Sequence, residues 1–373
     1  MSTPIRLFKL GQSIWYDNIQ RKLLENGELA AMIERGDIRG VTSNPSIFHN
    51  AIAKSSDYDE SLRALAKVGH TAEEIYERLA VEDIRAATDL FRPLYDETNG
   101  GDGYVSLEVS PYLAYDTDAT FSEAKRLWEL VDRPNLMVKI PATKDGLPAI
   151  TGAIAAGVNI NVTLIFSQTR YVEVIDAYMG GLEKRLEAGN SIDHVASVAS
   201  FFVSRIDTKV DHLLDAIVDN ETRTTPLAKA LQGRLAVANA KLAYKKFEEI
   251  TGGERFTRLQ MKGGRVQRPL WASTSTKNPA YSDVKYVDEL LGPKTVNTIP
   301  PPTLEAFKDH GVVRLTLESG LAKAGQAFEE LRALGISFQQ VTDELETEGV
   351  KSFANALTAL LETIEERRKN VSK

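Results

Sequence analysis

The chain of 373 residues contains no cysteine. Disulfides, thiolate metal sites and cysteine nucleophiles are excluded together, and the redox compartment stays open. Histidine is scarce: the five are His49, His70, His194, His212 and His310. None falls at the C-terminal end of a candidate strand, which argues against a histidine general base or a multi-histidine metal site. No segment approaches the run of about 18 apolar residues that a membrane span needs. Residues 1–15 lack the apolar stretch of a signal peptide. Neither Gly-x-Gly-x-x-Gly nor a Gly-Lys-Ser/Thr phosphate loop occurs, so nucleotide cofactors have no signature. A net charge of −7 leaves no basic surface for nucleic acid or an anionic membrane. A local basic pocket for a small phosphate is compatible with it. The expectation is a cytoplasmic protein with neither partner.

What is present is ordinary globular composition, 43% hydrophobic and 26% charged, which excludes a disordered or low-complexity chain. Short β-rich segments at 13–18, 40–44, 104–109, 136–142, 158–166, 195–203, 268–274 and 295–300 alternate with amphipathic stretches. One stretch, 71–95, carries a helical stripe of Ile75, Leu79, Leu90 and Leu94 behind a Thr71/Glu74 capping box. Another, 168–186, repeats Tyr171, Val174, Ile175, Tyr178 and Leu182 at helical spacing behind Ser167 as N-cap. Eight strands alternating with helices predict a closed (β/α)₈ TIM barrel. Such a barrel needs only about 250 residues, so the excess is assigned to helical insertions near 45–103 and 207–267 and a helical tail near 303–373. The expected organisation is one decorated domain over 1–373, with a separate helical C-terminal domain as the alternative.

The anomaly lies inside the strands. Alternate strand residues share a face, so Lys139 shares one with Met137 and Pro141 within Leu-Met-Val-Lys-Ile-Pro-Ala. Lysine is almost never fully buried without a partner. Ser106 shares parity with Glu108, Asn161 with Thr163, Thr42 with Asn44, and Trp15 with Asp17. These polar residues cluster toward strand C-termini, where barrel enzymes build active sites. Singly, each has a bland reading. The lysine stem snorkels at an edge, Glu108 forms a structural ion pair, and Asn44 before Pro45 starts a turn. Asp17 and Glu108 alone are few ligands for a divalent cation. Together they describe one polar pocket around a buried amine.

Such an amine, when neutral, adds to ketones and forms a Schiff base that withdraws electrons from the adjacent carbon–carbon bond. An ordinary lysine is only about 0.04% neutral at pH 7. Apolar flanks raise that fraction and a nearby carboxylate lowers it. A carboxylate then shuttles the proton of the hydroxyl at the bond being broken. This chemistry points to a class I aldol reaction on a sugar.

The motifs at 11–18 (GQSIWYDN), 40–46 (GVTSNPS), 106–111 (SLEVSP), 138–143 (VKIPAT), 161–167 (NVTLIFS) and 200–205 (SFFVSR), in this order, make the whole chain resemble transaldolases of the longer bacterial type. The resemblance implies a transferase of the pentose phosphate pathway with no cofactor and no metal. Lys139 would carry the Schiff base and Asp17 would act on the C4 hydroxyl. Glu108 would work through a water held partly by Thr163. Asn44 and Asn161 would hydrogen-bond the dihydroxyacetone unit, with Thr42 beside them. Phe202 would close the pocket against water. Ser200 and Arg205 match positions that bind the sugar phosphate, suited to arginine's forked contact with phosphate oxygens.

One position departs from the shorter transaldolases, which place an arginine soon after an Ala-Ser pair on the seventh strand. Here the run is Ala272-Ser273-Thr274-Ser275-Thr276-Lys277. Lys277 is therefore the second phosphate candidate, its bland reading being an exposed loop lysine. Arg265 and Arg268 stand near the strand's start and are expected to face away. Lys144 reads as a loop charge. An aldolase that releases dihydroxyacetone to water and a catalytically silent sugar-phosphate-binding barrel are the rival readings. Monomer and homodimer both stay open.

Overall fold

Eight segments rich in aliphatic and β-branched residues form strands: β1 (Gln12–Tyr16), β2 (Gly40–Val41), β3 (Tyr104–Glu108), β4 (Leu136–Pro141), β5 (Ile160–Ile165), β6 (Ser197–Phe202), β7 (Arg268–Ala272) and β8 (Thr295–Ile299). Each pairs with the next in parallel, and β8 returns to β1 to close a barrel. The computed structural model describes residues 2–221 and 223–371. Seventeen α-helices among those residues surround the barrel or cross its ends. The expected (β/α)₈ barrel with additional helices is the fold observed. None of these helices is long and apolar enough to cross a membrane.

The strands run shorter than their apolar patterns. β5 and β6 begin at Ile160 and Ser197, because Asn159 turns its side chain into the backbone, accepting from Ala196 N and donating to Leu136 O. β2 keeps only two residues, so Thr42 and Asn44 lie on the connection that follows it. There the chain starts the helix Pro45–Ala53, with Pro45 in its first turn and the Asn44 carbonyl capping Ile47 N at 3.0 Å. Both helix starts expected from sequence form. Thr71 and Glu74 close a capping box on Ala72–Glu97, and Ser167 caps Gln168–Glu187.

Ser13 and Trp15 on β1, and Asp17 immediately after it, share one side of the chain. At the N-terminal end Trp15 fills the interior, and Gly40 makes room for it: a Cβ there would lie 2.7 Å from the indole ring. Asp102 closes this end, accepting from Ser13 Oγ at 2.6 Å, Trp15 Nε1 at 3.0 Å, Arg39 Nε at 2.8 Å and Arg268 Nη1 at 3.2 Å. Arg265 binds Asp193 O and Gly100 O at the same end. Both arginines therefore stand away from the C-terminal mouth, as the sequence suggested.

The C-terminal mouth is crossed by the helix Phe338–Val371. Polar contacts fix it to helices around the rim: Arg170–Glu346 at 3.2 Å, Lys209–Glu344 at 2.7 Å, Lys209–Glu348 at 2.6 Å, and Tyr112 Oη to Thr358 Oγ1 at 2.6 Å. Near its end, Arg367 donates to Ala53 O and Ser55 O. The barrel end where the polar strand residues converge is thus roofed.

Candidate active site

Lys139 stands on β4, opposite Glu108 of β3 on one side and Asn161 of β5 on the other. This register follows from the shared inward parity of the three residues. Lys139 is only 5% exposed and Glu108 8%. The ammonium nitrogen lies 3.2 Å from Ser43 O, 3.5 Å from Glu108 Oε2 and 5.7 Å from the Phe353 ring centre. At 3.5 Å the contact with Glu108 is an ion pair rather than a hydrogen bond. Neither Glu108 oxygen has a hydrogen-bond partner, nor does the buried Thr163 hydroxyl. Burial pushes the Glu108 carboxyl up to about 7; the Lys139 charge opposes the shift and Asp17 adds to it.

A cavity of about 200 Å³ opens over Lys139. Asp17, Thr42, Asn44, Ser200, Phe202, Arg205 and Lys277 all line it. Eight of the eleven residues expected from sequence therefore share one space with the lysine counted among them. Of the other three, Glu108 lines a neighbouring cavity with Tyr76 and Leu127, while Asn161 and Thr163 are fully buried. Asp17 opens on the Lys139 cavity but is enclosed on its other sides, and burial raises its carboxyl above the ordinary value. The Thr42 hydroxyl bond and the Lys139 and Lys277 charges oppose that shift. Thr42 Oγ1 sits 2.6 Å from both Asp17 Oδ1 and Thr298 Oγ1.

Beneath the cavity a hydrogen-bond chain crosses three strands. Ser200 Oγ donates to Asn161 Oδ1 at 2.7 Å, and Asn161 Nδ2 donates to Ser106 Oγ at 3.0 Å. Ser200 thus orients Asn161 while lining the cavity. With its Oδ1 in the helix cap, Asn44 offers a ligand its amide N–H groups.

Two cations also line the cavity. Arg205 lies in the first turn of the helix Ser204–Asp219, where the helix dipole also favours an anion. Its guanidinium stands 5.3 Å from the Phe202 ring centre, and burial pulls it below its ordinary value while Glu348 opposes. Phe202 packs against Phe166 with centroids 5.2 Å apart. After β7 the chain turns at Ser273, whose φ of +56° is the strained left-handed conformation, held by Ser204 N donating to Ser273 O at 3.0 Å. That turn brings Ser275 and Lys277 to the cavity; Lys277 Nζ donates to Ser275 Oγ at 2.7 Å. Arg205 and Lys277 thus give the cavity two cations.

Sequence reasoning missed Ser43, Thr298 and Phe353. Thr298 pairs with inward-facing Trp15 in the β8–β1 register, so extending the parity test to the eighth strand finds it. Ser43 acts through its backbone oxygen, which carries no side-chain signal. Phe353 belongs to an apolar stripe of the last helix with Val350, Leu357, Leu360 and Ile364, and in sequence it reads as packing.

A family model described as Transaldolase/Fructose-6-phosphate aldolase matches residues 14–364. A transaldolase of Trichodesmium erythraeum is 48% identical over 372 residues, covering 99% of this chain and 98% of that protein. One from Saccharopolyspora erythraea is 49% identical over 358 residues, with 96% and 95% covered. One from Acidothermus cellulolyticus is 50% identical over 364 residues, again with 96% and 95% covered.

Proposed function

The chain belongs to the transaldolase/fructose-6-phosphate aldolase family, and we propose that it moves a dihydroxyacetone unit from sedoheptulose 7-phosphate to glyceraldehyde 3-phosphate. The products are erythrose 4-phosphate and fructose 6-phosphate, and the setting is the cytoplasmic, non-oxidative pentose phosphate pathway. The observation that carries this reading is one cavity lined by a buried amine, Lys139, together with the Asp17 carboxyl and two cations, Arg205 and Lys277, with Glu108 3.5 Å from the amine.

The Lys139 amine adds to the ketose carbonyl to give a carbinolamine, which loses water to become an iminium. Glu108 titrates near 7, so at neutral pH it can both give and take the proton this dehydration moves. Thr163, its hydroxyl unpartnered, is suited to hold the water involved. Asp17 accepts the C4 hydroxyl proton as the C3–C4 bond breaks, and the electrons of that bond pass into the iminium to form an enamine. The acceptor aldehyde then bonds to the enamine carbon, and Asp17 returns the proton to the new alkoxide. Asn44 and Asn161 hold the retained hydroxyls, while Arg205 and Lys277 hold the phosphate.

Borohydride reduction in the presence of the donor ketose should fix a three-carbon unit or the whole ketose on Lys139. Lys139→Ala should lose that label and about 10⁴-fold or more in turnover, with its fold intact. Near-normal turnover in that variant overturns the reading.

A further inference from the structure

The last helix places one side chain in the catalytic cavity. Phe353 is 4% exposed, lines the same space as Asp17, Asn44 and Arg205, and sets its ring centre 5.7 Å from Lys139 Nζ. The helix reaches this depth because Gly349, one turn earlier, has no side chain. A Cβ there would press to 2.9 Å on Leu164 Cδ2 and lie 3.6 Å from Arg205 Nη1. Leu164 has φ +59° at the register shift between β5 and β6. The ion pairs to Arg170 and Lys209 and the Tyr112–Thr358 bond hold the helix on several sides of the rim. Other apolar residues of the stripe serve elsewhere; Leu357 and Leu361 line a separate cavity with Tyr76 and Leu127. Phe353 alone among them covers the lysine.

We propose that Phe353 is a specificity-determining residue that favours transfer to an aldehyde over release of dihydroxyacetone to water. The inference rests on the Schiff-base reading above. After cleavage the three-carbon enamine on Nζ has two fates. In transfer, its carbon bonds to the acceptor aldehyde carbon, the aldehyde oxygen takes a proton, and water then releases the new ketose from its iminium. In the leak, the same carbon takes a proton instead and water adds to the three-carbon iminium before any acceptor arrives. In either hydrolysis the water oxygen becomes the ketone oxygen, both water protons pass to nitrogen, and the C–N bond breaks with its electron pair returning to nitrogen; in the leak free dihydroxyacetone leaves. An aromatic roof over the nitrogen keeps bulk water from the enamine, and its face also attracts the cationic iminium. Phe202 closes the cavity from the β6 wall, so the two rings screen different directions.

The test measures free dihydroxyacetone against transferred product, using the full chain, fructose 6-phosphate as donor and erythrose 4-phosphate as acceptor. Phe353→Ala should raise the ratio of release to transfer by about tenfold, and the smaller truncation Phe353→Leu by about threefold. Ile364→Ala, further along the same helix and outside both cavities, should leave the ratio unchanged. Should Phe353→Ala fail to fold, Phe353→Leu decides alone. An unchanged ratio in a folded Phe353 variant, with borohydride trapping on Lys139 intact, overturns the role of Phe353 and leaves the transaldolase reading standing. Absence of trapping in the unaltered protein overturns both.

Discussion

Asp102, at the N-terminal end of the barrel, accepts hydrogen bonds from Ser13, Trp15, Arg39 and Arg268. Glu108, at the C-terminal end, has no hydrogen bond to either oxygen and only Lys139 at 3.5 Å. Both carboxylates are buried among strands of one sheet, so burial alone does not separate them. Partners do. The first site meets the demand of a buried charge with two arginines and two neutral donors. The second leaves that demand open, which costs stability and keeps the group able to exchange a proton. A closed end that holds the barrel together and an open end that works on a ligand are the two uses of one architecture.

The largest expected effect tests the closed end. Asp102→Ala leaves Arg39 and Arg268 without their shared counter-charge and should destabilise the fold by about 3–5 kcal/mol. Denaturant titration measures this, and the folded fraction should retain its specific activity. If stability holds while kcat collapses, the division of labour between the two ends is wrong.

Glu108 gives the next effect, and its sign is opposite to that of an ordinary salt-bridged carboxylate. In the unfolded chain the group ionises near 4.5, but in the fold it keeps its proton up to about 7. Between those values the folded state binds more protons than the unfolded one, so stability falls as pH rises through this window. The full effect is on the order of 3 kcal/mol. Glu108→Gln cannot ionise and should flatten this slope between pH 5 and about 8, while kcat drops by about 10²-fold. An unchanged slope would mean that Glu108 has found a partner, and the contrast with Asp102 would disappear.

The open end was the more legible in sequence, for a physical reason. Inward polar residues on strands break the apolar pattern, and a two-residue period assigns them to one side; Lys139, Glu108, Asn161 and Asp17 are all found this way. The barrel follows from the alternation of strands and helices for the same reason: local periodicity dictates it. The closed end was not legible, because Asp102 lies in the glycine-rich run 99–103 with no period to read. Nor was the roof. The path that brings Phe353 over Lys139 depends on Gly349, Leu164 and the rim ion pairs acting together, and none of these marks the helix in isolation. The short β2 likewise reflects competition from Asn44 and Pro45, which start a helix where the apolar pattern would continue a strand.

The smallest expected effect sharpens the comparison within the open end itself, between its two cations. Arg205 is set on the first turn of a sixteen-residue helix and presents a rigid fork. Lys277 rides on the loop after β7, a flexible point charge bonded to its neighbour Ser275. Tyr281 ties that loop to Asp211 at 2.7 Å, and Thr276 ties it to Ser282 O at 2.7 Å. The loop therefore holds its place without Lys277, and truncating the lysine should remove a charge without removing the wall. Lys277→Ala should raise KM for glyceraldehyde 3-phosphate by about three- to tenfold, roughly 1 kcal/mol. The kinetics of unphosphorylated glyceraldehyde should stay as they are, and Lys277→Arg should restore the phosphate preference. Lys277 also lowers the Asp17 carboxyl, so its removal moves the acidic limb of the pH profile upward on either reading, whereas only a lysine acting through Asp17 rather than on the phosphate would change both acceptors alike. Equal effects on the two aldehydes would then assign Lys277 to Asp17 and leave Arg205 as the sole phosphate contact.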